Sequence, residues 1–137
     1  MHKKFLIVIL LCVTSFTVQA EIVVVSSRGL NSATLSDNAV RQLFSGQLKV
    51  IKGITLQALD LPAGNTYRDD FYRQLMGRSP EQMRAYWTRL IFTGQGKPPR
   101  EVTSAQELIT LLGSGNYIGY LPVDALTSQL QVLYRLE

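Results

Sequence analysis

Two carboxylates stand side by side in this sequence, Asp69 and Asp70, and paired carboxylates are what acid–base hydrolysis needs. Neighbours on a helix point about 100° apart, so these two do not converge on one substrate. In a first turn they complement the helix dipole instead. Lys49 and Lys52 could serve as bases, but no nearby serine suggests a nucleophile for them. Thiol and imidazole chemistry is limited to Cys12 and His2, one residue of each type.

Both fall in a segment that reads as a secretory signal peptide, residues 1–20. Lys3 and Lys4 form its basic start, residues 5–13 an uncharged apolar run, and Val18-Gln19-Ala20 a small-residue cleavage pattern. The run is shorter than the roughly 20 residues that span a bilayer. The bulky Leu11 before Cys12 does not suit a lipoprotein signal. Export to the periplasm with cleavage after Ala20 is expected, leaving 117 of the 137 residues. Residues 21–137 then contain neither Cys nor His, which excludes disulfides, Cys or His catalysis and zinc sites built on those residues. Twelve of the 14 basic residues remain against 10 acids, a net +2 that does not argue for nucleic acid. The chain reads as non-enzymatic, with no catalytic residue, metal ligand or cofactor.

Anion binding is better supported. Where a strand feeds a helix, free backbone N–H groups collect at the helix N-terminus beside the carboxyl end of the strand. The segment Pro62-Ala63-Gly64-Asn65-Thr66-Tyr67-Arg68 follows a strand candidate and opens a helix. Gly64 permits close backbone approach, Asn65 and Thr66 offer side-chain donors, and Arg68 can pair bidentately with an oxyanion. Ser26 and Ser27, at the end of the first strand, form a second donor pair. The plainer readings are an ordinary helix cap with a solvated arginine, and a plain turn. Arg68, Arg73, Arg78, Arg84 and Arg89 step by five or six residues and so form solvated surface charge rather than one helical stripe.

The elements that must position these groups alternate. Residues 22–25 are an Ile-Val-Val-Val run, a strand buried on both faces of a helix-covered sheet. Ser36 caps a helix whose Val40, Leu43 and Phe44 share a face; Leu35 staples onto Val40, and Gly46 stops the helix. Residues 54–61 form a second strand. Thr66 and Asp69 make a capping box for a helix with the apolar stripe Phe71, Tyr72, Leu75 and Met76, closed by Gly77. Ser79, Pro80 and Gln82 open the next helix, and Met83, Tyr86, Trp87, Leu90 and Ile91 form its wide apolar face, with Trp87 in the core. A fourth helix covers about residues 104–112, boxed by Ser104 and Glu107. Residues 117–121 and 130–136 read as strands, the latter alternating Leu130, Val132, Tyr134 and Leu136 on one face. The order predicts one α/β domain, residues 21–137, with a mixed sheet of about four or five strands flanked by helices.

Several segments together resemble one family. They are Leu35-Ser36, Leu43-Phe44-Ser45-Gly46, Arg68-x-x-Phe71, Leu75-Met76-Gly77-Arg78-Ser79, Gln82-Met83-x-Ala85-Tyr86-Trp87, Ile91-Phe92-Thr93-Gly94-x-Gly96-x-Pro98-Pro99, Val102, Glu107-Leu108 and Ile118-Gly119-Tyr120. The chain resembles small periplasmic proteins of the phosphate ABC transporter substrate-binding type, over almost all of residues 21–137. The resemblance implies one lobe of a type 2 periplasmic-binding-protein-like fold. Full-length members close two α/β lobes over phosphate and grip it partly with a Ser-Gly-Thr-Arg segment at a helix N-terminus. Aligned on Arg68 and Phe71, this chain reads Asn65-Thr66-Tyr67-Arg68; Arg68 matches, and the Ser, Gly and Thr positions do not.

Two functions follow. In the leading reading the exported chain is solute-binding-like and takes phosphate or a similar small oxyanion. Backbone N–H groups near Asn65 and Thr66 hold it, with Arg68 as counter-charge and Ser26 and Ser27 as auxiliary donors. In the other reading it is a periplasmic interaction or accessory module that kept the lobe and lost the ligand, partnered by an ABC transporter permease or another periplasmic protein. Half a clamshell leaves one side of an anion open to water, where ionic contacts weaken. A second copy, in a homodimer, is one way to close it.

Overall fold

The computed structural model describes residues 12–15, 20–30 and 34–136. The expected signal peptide, apart from residues 12–15 and 20, lies outside them, as do residues 31–33 of the polar loop. The chain order is β1 (Ile22–Ser27), α1 (Asp37–Phe44), β2 (Val50–Ile51), β3 (Ile54–Thr55), β4 (Gln57–Asp60), α2 (Thr66–Met76), α3 (Pro80–Phe92), β5 (Arg100–Glu101), α4 (Ala105–Leu112), β6 (Tyr117–Pro122) and β7 (Leu130–Arg135). No helix among the described residues is long and apolar enough to cross a membrane.

Five strands form a mixed sheet in the order β5-β4-β6-β1-β7. β4 runs parallel to β5 and β6, while β1 runs antiparallel to both β6 and β7. Four strands therefore share one direction and β1 alone opposes them. β1 lies between two partners and under helices, so Val23, Val24 and Val25 are fully buried. An uninterrupted apolar run suits such a strand, since neither of its faces meets water.

Helices cover both faces, and neighbouring residues of β6 show how. Tyr120 faces α1 and α2, stacking on Phe71 at 3.8 Å between centroids and meeting Phe44 edge-on at 5.9 Å. Gly119 faces α4 on the other side. A Cβ added at Gly119 would stand 3.2 Å from Leu108 Cδ1 and 3.4 Å from Leu112 Cδ2. The missing side chain lets α4 settle against the sheet.

Caps form where short polar side chains precede the helices. Ser36 accepts from Ala39 N–H, and Ser79 and Gln82 complete a reciprocal capping box ahead of Pro80. Four expectations are corrected. α2 is capped by Asn65, whose Oδ1 accepts from both Tyr67 N–H and Arg68 N–H, so Thr66 is the first helical residue and the Thr66–Asp69 box does not form. The strand expected over residues 54–61 divides, because β3 pairs back on β2 through a tight turn at Lys52 and Gly53, both at positive φ. β7 carries a bulge: Val24 pairs with Tyr134 and Val25 with Val132, leaving Leu133 as the extra residue. The buried set in β7 and just after it is therefore Leu130, Leu133 and Leu136, not a strict alternation. On α3, Met83, Tyr86 and Trp87 are buried as expected, but Ile91 is 57% exposed because the helix end projects beyond the sheet-facing core.

Gly119→Val is expected to force α4 away from β6 and lower stability by about 1–3 kcal/mol, the usual range for overpacking. Denaturant unfolding of residues 21–137 checks this. A wild-type midpoint would mean that α4 does not depend on the close approach.

Candidate functional site

The carboxyl ends of β4, β5 and β6 share one rim of the sheet, and the chain leaves β4 there to start α2. The turn between them is tight. Asn65 N–H donates to Pro62 O at 3.0 Å, and Gly64 adopts φ +86°, the conformation a type II turn demands at that position. Arg68 is thereby placed in the first turn of α2, facing back toward the end of β4.

Asp60, the last residue of β4, is 2% exposed. A carboxylate so buried needs hydrogen bonds to replace water, and side chains of two elements, α2 and β6, supply them. Tyr72 of α2 donates its hydroxyl to Oδ2 at 2.8 Å, and Tyr120 of β6 donates to Oδ1. Arg68 Nε lies 3.7 Å from Oδ2. Arg68 also donates from Nη1 to Leu61 O at 2.8 Å, and Nη1 lies 3.6 Å from Glu101 Oε2. Glu101, on the edge strand β5, accepts from Ala63 N–H at 2.9 Å through its other oxygen. One guanidinium thus serves two carboxylates, and one of those carboxylates occupies a backbone donor of the turn.

Burial pushes the Asp60 carboxyl above its ordinary 3.8, against the pull of Arg68 and the two tyrosine hydroxyls. Tyr72 and Tyr120 are pushed well above the usual phenol value, first by burial and then by the charge of Asp60, so both stay protonated and keep donating. For Arg68, burial works against the charge, yet Asp60, the tyrosines and Glu101 outweigh it and raise the pKa.

A cleft of about 460 Å³ opens beside this cluster. Its polar end holds Asp60, Arg68 and Glu101, and Met83, Trp87 and Pro98 contribute to its apolar wall. Among the described residues no group of three or more His, Cys, Asp or Glu is placed to hold a metal ion.

Asn65, Thr66 and Arg68 lie together at this rim, with Thr66 exposed. Ser26 and Ser27 do not join them. Because β1 runs against β6, Ser26 pairs with Ile118, which in turn pairs with Ala58 near the start of β4. The carboxyl end of β1 is therefore at the opposite edge from Arg68. Ser26 is fully buried, donating to Ser27 O and accepting from Gln131, while Ser27 Oγ accepts from Gly29 N–H. Asp60, Tyr72, Tyr120 and Glu101 were not among the expected site residues. A signal existed for Asp60, a lone acid between Leu59 and Leu61 at the end of an apolar run. Glu101 had none, since a two-residue edge strand leaves no periodicity to read.

The raised Asp60 pKa sets a pH dependence. The folded state holds this proton more tightly than the unfolded state does. The stability it contributes is therefore complete below pH 3.8 and is lost as pH rises through the folded value. The stability of the wild type relative to Asp60→Asn is expected to fall as pH rises through that window in denaturant titrations. Glu107 is lowered by its hydrogen bonds from Thr103 and gives the opposite slope, but it is common to both proteins and cancels. A wild-type advantage that grows with pH would show that Arg68 and the tyrosines outweigh burial.

No family of known sequences matches the chain, and neither does any curated protein. Solved structures do match. An ABC-type phosphate transport receptor from Vibrio cholerae superposes with a TM-score of 0.65 at 13% identity, over 83% of this chain and 45% of the receptor. A putative phosphate ABC transporter substrate-binding protein from Clostridium perfringens, with bound phosphate, gives 0.65 at 12% identity, over 83% of this chain and 44% of that one. The chain spans less than half the length of either receptor. The fold implied by the resemblance, one lobe of a periplasmic binding protein, is the fold this chain has.

Proposed function

We propose that residues 21–137 act as an exported, non-catalytic docking module in the periplasm, a solute-receptor lobe used for contact with a protein partner rather than for solute capture. One observation carries the reading: four donors at the β4–α2 turn, the N–H groups of Ala63, Tyr67 and Arg68 and the Nη1 of Arg68, are engaged by the chain's own oxygens. Glu101 takes Ala63 N–H and faces Arg68, Asn65 Oδ1 takes the N–H groups of Tyr67 and Arg68, and Leu61 O takes Arg68 Nη1. An incoming phosphate has to displace one carboxylate and approach another, Asp60. Among the described residues the turn is covered from one side, so solvent weakens each remaining ionic contact. Export rests on the signal-peptide reading of residues 1–20. An ABC transporter permease or another periplasmic protein is the partner class that the receptor fold suggests.

The exposure of Glu101 favours a second reading. Its side chain is 52% exposed on an edge strand beside the cleft, so it can swing into water without disturbing the core. Phosphate or a similar oxyanion would then meet Arg68 at the start of α2, with Asn65 and Thr66 beside it. A second copy of the chain could close the open side.

Calorimetry and thermal unfolding with inorganic phosphate separate the two. The docking reading expects no heat and no stabilisation of the wild type at millimolar phosphate. It also expects Glu101→Gln, which removes the competing charge, to gain phosphate-dependent stability, about 1.4 kcal/mol at roughly ten times its Kd. Wild-type binding that Arg68→Ala abolishes would sink the docking reading and leave the oxyanion reading standing.

A further inference from the structure

Phe92, the last residue of α3, is 91% exposed, and Ile91 beside it is 57% exposed. The core meets α3 through Met83, Tyr86 and Trp87, so packing does not account for a phenyl ring at the helix end. The surroundings are basic. Arg84, Arg89 and Phe92 line one shallow groove on the outer face of α3. Lys97 and Arg100 are exposed in the segment returning from the helix end. The ion pairs among the described residues take neither Arg84 nor Arg89, although Arg89 sits over the Tyr86 ring at 5.9 Å, and Arg100 is near enough to Glu107 to help lower its pKa. Along the axis Arg89 stands about 4.5 Å from Phe92, Arg84 about 12 Å, and Glu81, the acid of the groove, about 16 Å.

Two apolar side chains beside exposed arginines do not make the water-excluded centre of a standard protein interface, which buries roughly 800 Å² on each partner. They do match the make-up of an interfacial anchor. There an aromatic and an aliphatic group enter the headgroup layer while Arg and Lys meet lipid phosphates. We infer that this end of α3 docks on an anionic phospholipid surface, with Phe92 and Ile91 inserting and Arg84 and Arg89 holding headgroup phosphates. The inference goes beyond the docking reading and stands apart from it, because lipid contact at α3 makes no use of the donors around Arg68.

The test is co-sedimentation of residues 21–137, which hold every described strand and helix, with vesicles. Binding is expected to vesicles that mix phosphatidylglycerol into phosphatidylcholine and not to phosphatidylcholine alone, and it should weaken as salt is raised. Phe92→Ser should lower partitioning roughly tenfold or more, and Arg89→Ala about fivefold; both positions are exposed, and circular dichroism confirms that the variants fold. Absence of binding to the anionic vesicles overturns the inference, as does binding that Phe92→Ser leaves unchanged. A Phe92-dependent dimer in lipid-free sedimentation equilibrium assigns the patch to a second copy and also overturns it. Phosphate titration of the wild type beside Arg68→Ala isolates the Arg68 site, so failure there is separable from failure here.

Discussion

A carboxylate taken out of water must regain its hydrogen bonds from the protein, and Asp60 draws them from two neighbouring elements. Tyr72 and Arg68 come from α2 and Tyr120 comes from β6, so satisfying one side chain fixes the helix that follows β4 against the strand beside it. Tyr120 joins two environments. Its hydroxyl reaches Asp60 while its ring stacks on Phe71 and meets Phe44, the aromatic centre that binds α1 and α2 to the sheet. The polar cluster and the core are consequently one structure, and disturbing either shifts the other.

Arg68 gains a structural duty from this arrangement. In a receptor lobe, a cation at the start of a helix on the carboxyl rim is placed to meet a ligand anion. Here the same position faces Asp60 and Glu101, and the neighbouring Ala63 N–H is held by Glu101. The chain shares the fold of one receptor lobe, but a shared fold does not fix what the site binds, and here these groups face one another. What faces outward is different in kind: an exposed phenylalanine at the end of α3, in one groove with Arg84 and Arg89.

Much of this was legible from local chemistry. Ser36 and Ser79 cap the helices that their positions announced, and the Ile-Val-Val-Val run became a strand buried on both faces. Such features depend on a few consecutive residues, whose propensities and hydrogen bonds act within one turn. The misreadings have equally definite causes. Asn65 and Thr66 are both good caps, and choosing between them depends on the Gly64 turn that sets where the helix begins. The Leu133 bulge is a property of the pairing of β7 with β1, so alternation along β7 alone could not reveal it. Ser26 and Ser27 were read as rim donors because a strand's carboxyl end usually meets the ligand. That rule holds for the parallel strands and fails for β1, which runs the other way.

By itself the sequence determined the four helices and the strands β1, β6 and β7, that residues 21–137 lack thiol and imidazole chemistry, and that Arg68 opens a helix after a strand. Apolar periodicity and capping chemistry are local, and local forces act on neighbours in the chain. Only the tertiary structure decided the sheet order, the direction of β1 and the partners of Arg68. Glu101 lies 33 residues beyond Arg68 and Tyr120 lies 60 beyond Asp60, so their meeting is created by β4 lying between β5 and β6. Whether a basic side chain is free for a ligand or spent on a buried carboxylate depends on groups brought together by strand pairing, which no window of sequence contains.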